Sequence, residues 1–136
     1  MVDTKRTLQE LERSDWGEPT YGSYLVRTIH HIRRVPLIDW TPEDFRIAIG
    51  QKMSLPILLP LAFNLLENEP LVSGDFYDGD LLVNVLSCRD EIAQDKKLMR
   101  RATSICQLAA RQISSHKHPE RFDDISEKLA MFHGGH

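Results

Sequence analysis

Apolar side chains recur every three or four residues along most of the chain, which is the spacing of one face of an α-helix. The alternation of apolar and polar positions that is typical of a surface strand extends nowhere beyond a few residues. The pattern therefore predicts an all-α protein. The clearest helix is predicted over residues 21–34, ends before Pro36, and has a packed face of Tyr21, Tyr24, Leu25, Thr28, Ile29 and Ile32.

A second helix has a well-defined beginning at Thr41. Threonine is a good N-terminal cap, Pro42 fits the first turn, and Asp44 lies three residues after the cap, where an acid favours the positive end of the helix dipole. Gly50 is the predicted end of this helix.

The segment from Leu55 to Leu66 is apolar on nearly all sides, which predicts that it forms the central and most buried helix. Ser54 and Pro56 provide its beginning, and Pro60 lies either near the first turn or at a kink. The segment is too short and too interrupted by proline to span a bilayer, so we expect no membrane association.

The remaining helices are shorter or less regular. Asp78 or Asp80 is predicted to cap one of them, after a loop rich in glycine and aspartate. Together these segments predict one compact domain over residues 1–136, a bundle of about five to seven helices. The other expected elements are a turn or helix at 7–13, a helix at 81–86, two helices within 90–115, a helix at 121–132 and a frayed tail at 133–136.

Composition is that of an ordinary globular protein, with 41% hydrophobic and 27% charged residues. The formal net charge of -3 argues against nucleic acid as the main partner. Cys88 and Cys106 lack metal-ligand spacing, so we expect free thiols in the core of a protein from a reducing compartment. The N-terminal residues show no apolar signal segment, and we expect the protein to be cytoplasmic.

No pattern indicates catalytic chemistry. His30 and His31 point about 100° apart on a helix and are not placed to chelate one ion together. The stretch from Asp75 to Asp80 superficially resembles a calcium loop, but Leu86 occupies the position where such a loop needs its bidentate glutamate. We therefore expect no enzyme activity, no metal site and no cofactor.

Charge is distributed unevenly along the chain. Between Met53 and Cys88 there is no lysine or arginine, whereas five residues are acidic. One interpretation is helix capping and a solvated loop. The other is an electronegative surface that binds a basic partner, with Phe76 and Tyr77 as aromatic anchors. On the second interpretation the candidate contact residues are Glu67, Glu69, Asp75, Tyr77, Asp78 and Asp80.

A collinear series of short segments resembles one of the helical families of immunity proteins of bacterial contact-dependent growth inhibition (CDI) systems. The resemblance covers residues 8–86, and its most specific part is Gly-Asp-Phe-Tyr-Asp-Gly-Asp-Leu-Leu at 74–82. Other matching segments are Asp-Trp-Gly-Glu-Pro at 15–19, Arg-Arg-Val-Pro-Leu at 33–37, Thr-Pro-Glu-Asp-Phe-Arg at 41–46 and Leu-Leu-Pro-Leu-Ala at 58–62.

This resemblance implies a non-catalytic protein that binds the C-terminal toxin domain of a large effector and keeps it inactive in the cytoplasm. Such toxins are often nucleases, and a basic nuclease cleft would suit the acidic segment. Two other hypotheses stay open, a helical adaptor or scaffold unrelated to toxins and a metal-dependent enzyme. The 74–82 segment itself is either an interface or a scaffold, since Asp44, Arg46, Gln51, Asp78 and Asp80 are polar residues suited to fixing loops within a fold.

Overall fold

The computed structural model describes residues 2–17 and 22–134, and within them the chain forms eight α-helices and a single isolated β-bridge. The all-α prediction is confirmed, with slightly more helices than expected because several are very short. Two 3-10 turns, Leu37–Asp39 and Pro119–Phe122, precede α3 and α8. The α-helices are α1 Leu8–Glu12, α2 Tyr24–Ile32, α3 Pro42–Gly50, α4 Leu55–Asn68, α5 Asp80–Leu86, α6 Arg89–Ala93, α7 Lys96–Ser114 and α8 Asp123–Gly134.

Helix α4 is the centre of the core, as its apolar sequence predicts. Leu58, Ala62, Phe63 and Leu66 have no exposed surface, and α4 packs against α3, α5 and α7. Pro60 lies inside the helix, and α4 continues through it to Asn68. Burial of these side chains is the main source of stability that the fold offers, because apolar surface removed from water dominates the free energy of folding.

Helix α5, which follows the loop of residues 74–79, is held in place by its neighbours in the bundle. Helix α5 packs against both α3 and α8, and α8 also contacts α7. The side-chain amide of Asn84 donates to the carbonyl oxygen of Arg46 at 2.8 Å, which joins α5 to the middle of α3. The second half of α5 and the middle of α3 are therefore joined directly.

The buried Arg33 binds the N-terminal segment of residues 12–16 to the helix bundle. Arg33 is 2% exposed, forms an ion pair with Glu12, donates to the carbonyl oxygen of Ser14 and lies against the Trp16 ring. Glu12 also accepts a hydrogen bond from the Ser54 hydroxyl at 2.7 Å. Ser54 occupies the N-cap position of α4 as predicted, but its side chain makes this tertiary contact and does not cap the helix.

The predicted packed face of α2 is only partly correct. Ile32 is buried, but Tyr24 is 69% exposed, because burial increases along α2 and its first turn lies at the surface. Tyr21, the first residue predicted for this face, lies outside the described residues. At the other end of the chain, α8 extends to Gly134, and the last two residues of the predicted frayed tail also lie outside the described part.

Both cysteines are free and buried, as predicted. Burial raises the pKa of the Cys106 thiol to about 11, and it also raises that of Cys88. None of the helices in the described residues is long and apolar enough to cross a membrane.

Candidate functional site

A buried carboxylate folds the loop of residues 74–79 over the start of α5. Asp80, the first residue of α5, is 2% exposed. Its carboxylate accepts hydrogen bonds from the backbone N–H groups of Gly74 at 2.6 Å, Phe76 at 3.0 Å and Tyr77 at 3.4 Å. The prediction that Asp78 or Asp80 caps α5 is wrong, because Gly79 is the N-cap and no side chain caps the helix. Asp80 instead satisfies the backbone of the preceding loop.

Glu43 and Arg46, on α3, support the same loop from its other side. Glu43 accepts two hydrogen bonds from the Arg46 guanidinium and one, at 2.8 Å, from the backbone N–H of Asp75. Arg46 Nε also lies 3.7 Å from Asp80 Oδ2. These three charged side chains are mostly buried and form one network, so α3 and α5 together determine the conformation of the loop.

The ion pair between Glu43 and Arg46 shifts the pKa values of both groups. The hydrogen bonds from Arg46 lower the pKa of Glu43, and those to Glu43 raise the pKa of Arg46. Both groups are therefore charged at neutral pH, when the loop is fully supported.

Gly74 is required by the same close contacts. A Cβ atom at this position would lie 2.6 Å from Glu43 Oε1 and about 3 Å from both carboxylate oxygens of Asp80. The glycine of the 74–82 segment thus lets the backbone approach two carboxylates, which is a structural role.

Residues 75–78, which we call the loop tip, point outward from this network. Phe76 is 71% exposed and Tyr77 is 49% exposed, and the Arg46 guanidinium lies 4.0 Å from the centre of the Phe76 ring. Asp75 and Asp78 are exposed as well. The network of Asp80, Glu43 and Arg46 therefore holds a loop whose tip exposes two aromatic rings and two carboxylates to solvent.

The structure separates the six predicted contact residues into three groups. Asp75, Tyr77 and Asp78 lie together at the loop tip, and Asp80 is buried beneath it. The third group, Glu67 and Glu69, lies at the C-terminal end of α4, where Glu69 is exposed. Glu67 lies on α4 and pairs with Arg101 of α7 at 2.8 Å, so its charge is partly neutralised.

Tertiary contacts therefore reduce the acidic character of the 53–88 segment. Arg46 and Arg101 lie outside that segment in sequence, but they bring positive charge to Asp80 and Glu67. Arg101 lowers the pKa of Glu67 by hydrogen bonding. Among the described residues, Glu69, Asp75 and Asp78 are the acids of this segment without an ion pair.

One side of the site, formed by the C-terminal part of the chain, was not predicted from the sequence. A groove of about 850 Å³ runs beside the loop tip, and its far side is formed by the 3-10 turn Pro119–Phe122 and by α8. Gly79, at φ +90°, allows this approach, because a Cβ atom there would lie 2.6 Å from the Ile125 side chain. No periodicity in the sequence indicates that α8 and residues 75–78 are neighbours.

The histidines and acids do not assemble into a metal centre in the described part of the chain. No group of three or more histidine, cysteine, aspartate or glutamate side chains is placed there to hold a metal ion. His30 instead lies against Trp16 and bonds to the Gly17 carbonyl oxygen, and His116 packs against Phe122.

The described residues thus form a small all-α fold with an exposed loop tip of two aromatic and two acidic residues. The chain belongs to the family of CDI immunity proteins, whose sequence pattern it matches over residues 10–102, more than half of its length. The match includes α3, α4, α5 and the 74–79 loop, and it ends before α8. Neither a comparison with curated proteins nor one with solved structures returned a match.

Proposed function

We propose that this protein neutralises the toxin domain of a CDI effector in the cytoplasm by binding it through the loop tip. Family membership supports the immunity role, and the exposed pair of aromatic rings between two carboxylates supports the choice of surface. Aromatic side chains are enriched at the energetic centres of interfaces, and unpaired surface charges steer a partner of opposite charge.

The partner is expected to be a nuclease. Nuclease clefts are lined with lysine and arginine, because they bind phosphates. Asp75 and Asp78 would match such a cleft, and Phe76 and Tyr77 would supply apolar contact between them. Glu69, at the C-terminal end of α4, would add negative charge that attracts the partner, and Glu67 would contribute less because Arg101 partly neutralises it.

The hydrogen bonds beneath the loop tip favour a preformed interface, whose backbone already has its bound conformation in the free protein. Asp80, Glu43 and Arg46 hold the loop backbone in one conformation, so little conformational entropy is lost when it binds. On this proposal the scaffold and interface interpretations of the 74–82 segment apply to different residues, with Asp80 as scaffold and residues 75–78 as interface.

The first test is co-expression with the toxin domain encoded immediately upstream, followed by size-exclusion chromatography and a survival assay. We expect a co-eluting complex and growth only when this protein is present. If neither complex nor protection is obtained, the immunity proposal fails and the adaptor interpretation becomes the better one.

The second test concerns the surface. Asp75→Lys combined with Asp78→Lys should reduce the association rate at low salt by at least 10-fold, and the loss should shrink as salt is added. Asp39→Lys combined with Asp90→Lys changes the net charge equally at exposed positions elsewhere and is the matched control. Equal association rates for the two double variants would contradict the assignment of the loop tip.

A further inference from the structure

The groove beside the loop tip has the composition of a binding surface. Its base is apolar, with Val83 half-buried and Phe122 and Ile125 each about 95% buried. Phe76 on one margin and Met131 on the other are 71% and 68% exposed. Large apolar side chains on two facing margins are unfavourable in water, and such patches commonly mark sites of protein–protein contact.

Charged side chains surround this apolar base, three of them acidic and two basic. Asp78, Asp124 and Glu127 supply negative charge, and Arg121 and Lys128 supply positive charge. In the described part of the chain, none of these five forms an ion pair, and all five are exposed. Acids therefore outnumber bases around the groove, and Asp75 next to it adds to the excess.

The groove is continuous with the loop tip, because Phe76, Tyr77 and Asp78 belong to both. A partner that covers the tip must also cover the near margin of the groove. The far margin, formed by α8, lies outside residues 10–102, so the family match assigns it no role.

Resting on the proposed function, we propose that the groove receives an apolar side chain of the toxin that is flanked by lysine or arginine. The apolar side chain packs on Val83, Ile125 and Met131, while the flanking cations face Asp78, Asp124 and Glu127. Helix α8 then forms the second half of the interface. Truncating the partner's apolar side chain or repelling it from α8 should therefore weaken the complex.

Two neighbouring residues of α8 provide a matched experiment. Met131 lines the groove, whereas Ala130 is exposed and lies about 100° around the helix, away from the groove lining. Met131→Asp replaces an apolar side chain of the groove with a charged one, and Ala130→Asp makes the same charge change outside the groove. We expect Met131→Asp to raise the Kd for the toxin domain at least 10-fold, chiefly through faster dissociation, and Ala130→Asp to change it less than 2-fold.

The outcomes separate this inference from the proposed function. If the wild-type complex forms and the two variants bind alike, the groove is not occupied by the toxin, but the immunity proposal stands. If the wild type forms no complex, the immunity proposal itself fails. If the isolated protein is a dimer that Met131→Asp converts to a monomer, the groove holds a second copy and the inference is overturned.

Hydrogen exchange on the wild-type complex provides a test that needs no variant. Amide exchange in residues 124–131 should slow when toxin binds, as should exchange at residues 75–78. Protection at the loop tip without any change in α8 would overturn the groove assignment even if Met131→Asp proved unstable.

Discussion

The guanidinium of Arg46 lies 4.0 Å from the centre of the Phe76 ring while it hydrogen-bonds to Glu43. One side chain therefore links the network beneath the loop to the exposed aromatic residue above it. A cation over an aromatic face contributes about 0.5–1 kcal/mol at an exposed site, and the ion pair adds to it.

Replacing Arg46 by alanine should destabilise the fold and weaken toxin binding together. The change leaves Glu43 and Asp80 as two mostly buried carboxylates without their cation, which costs about 2–3 kcal/mol in the free energy of unfolding. Urea denaturation measures this cost. Arg46→Lys should recover only part of it, because lysine lacks the planar pair of donors. Full recovery by lysine would show that charge alone holds the loop.

Stability should depend on pH through the ion-paired glutamates. Arg46 lowers the pKa of Glu43 below its ordinary value of 4.5, so the folded state binds this proton less readily than the unfolded state. The stabilisation is present above the unfolded pKa and is lost as pH falls through the lower, folded pKa.

We expect the free energy of unfolding to decrease as pH falls below about 4.5 and the slope to be shallower for Glu43→Gln. Glu69→Gln removes one exposed carboxylate and is the matched control. Thermal unfolding between pH 7 and pH 3 provides the measurement. A slope for Glu43→Gln equal to that of the wild type would show that Glu43 is not responsible.

The two thiols should be unreactive in the folded protein. Burial raises the pKa of Cys106 to about 11 and also raises that of Cys88, so almost no thiolate is present at pH 8, and access is blocked. A colorimetric disulfide reagent should therefore detect no thiol in native buffer and two per chain in denaturant. Rapid reaction of either cysteine without denaturant would indicate that α7 or the start of α6 opens locally.

The core position of α4 gives a prediction about packing. Leu58 has no exposed surface, and Leu58→Ala should cost about 2–5 kcal/mol through lost burial and a residual cavity. Met131→Ala removes a similar side chain from an exposed position and should change stability by less than about 0.5 kcal/mol. Chemical denaturation of both variants provides the comparison, and similar losses would contradict the assignment of α4 as the centre of the core.

The sequence by itself determined the helical class of the fold and the central helix of its core. Thr41 caps α3 as predicted, with Asp44 completing a capping box, and the apolar run from Leu55 to Leu66 became the buried α4. These features depend on residues within one or two helical turns of each other, so local spacing contains the necessary information.

Tertiary structure alone decided what each acidic residue does. Five acids in one segment look alike in sequence, but Asp80 is buried and lies beside Arg46, which is 34 positions away, and Glu67 pairs with Arg101, also 34 positions away. Helix packing likewise brought α8 to the loop tip and made the groove. Contacts between distant segments depend on how the helices pack in space, and helical periodicity specifies which face of each helix is buried without specifying its neighbour.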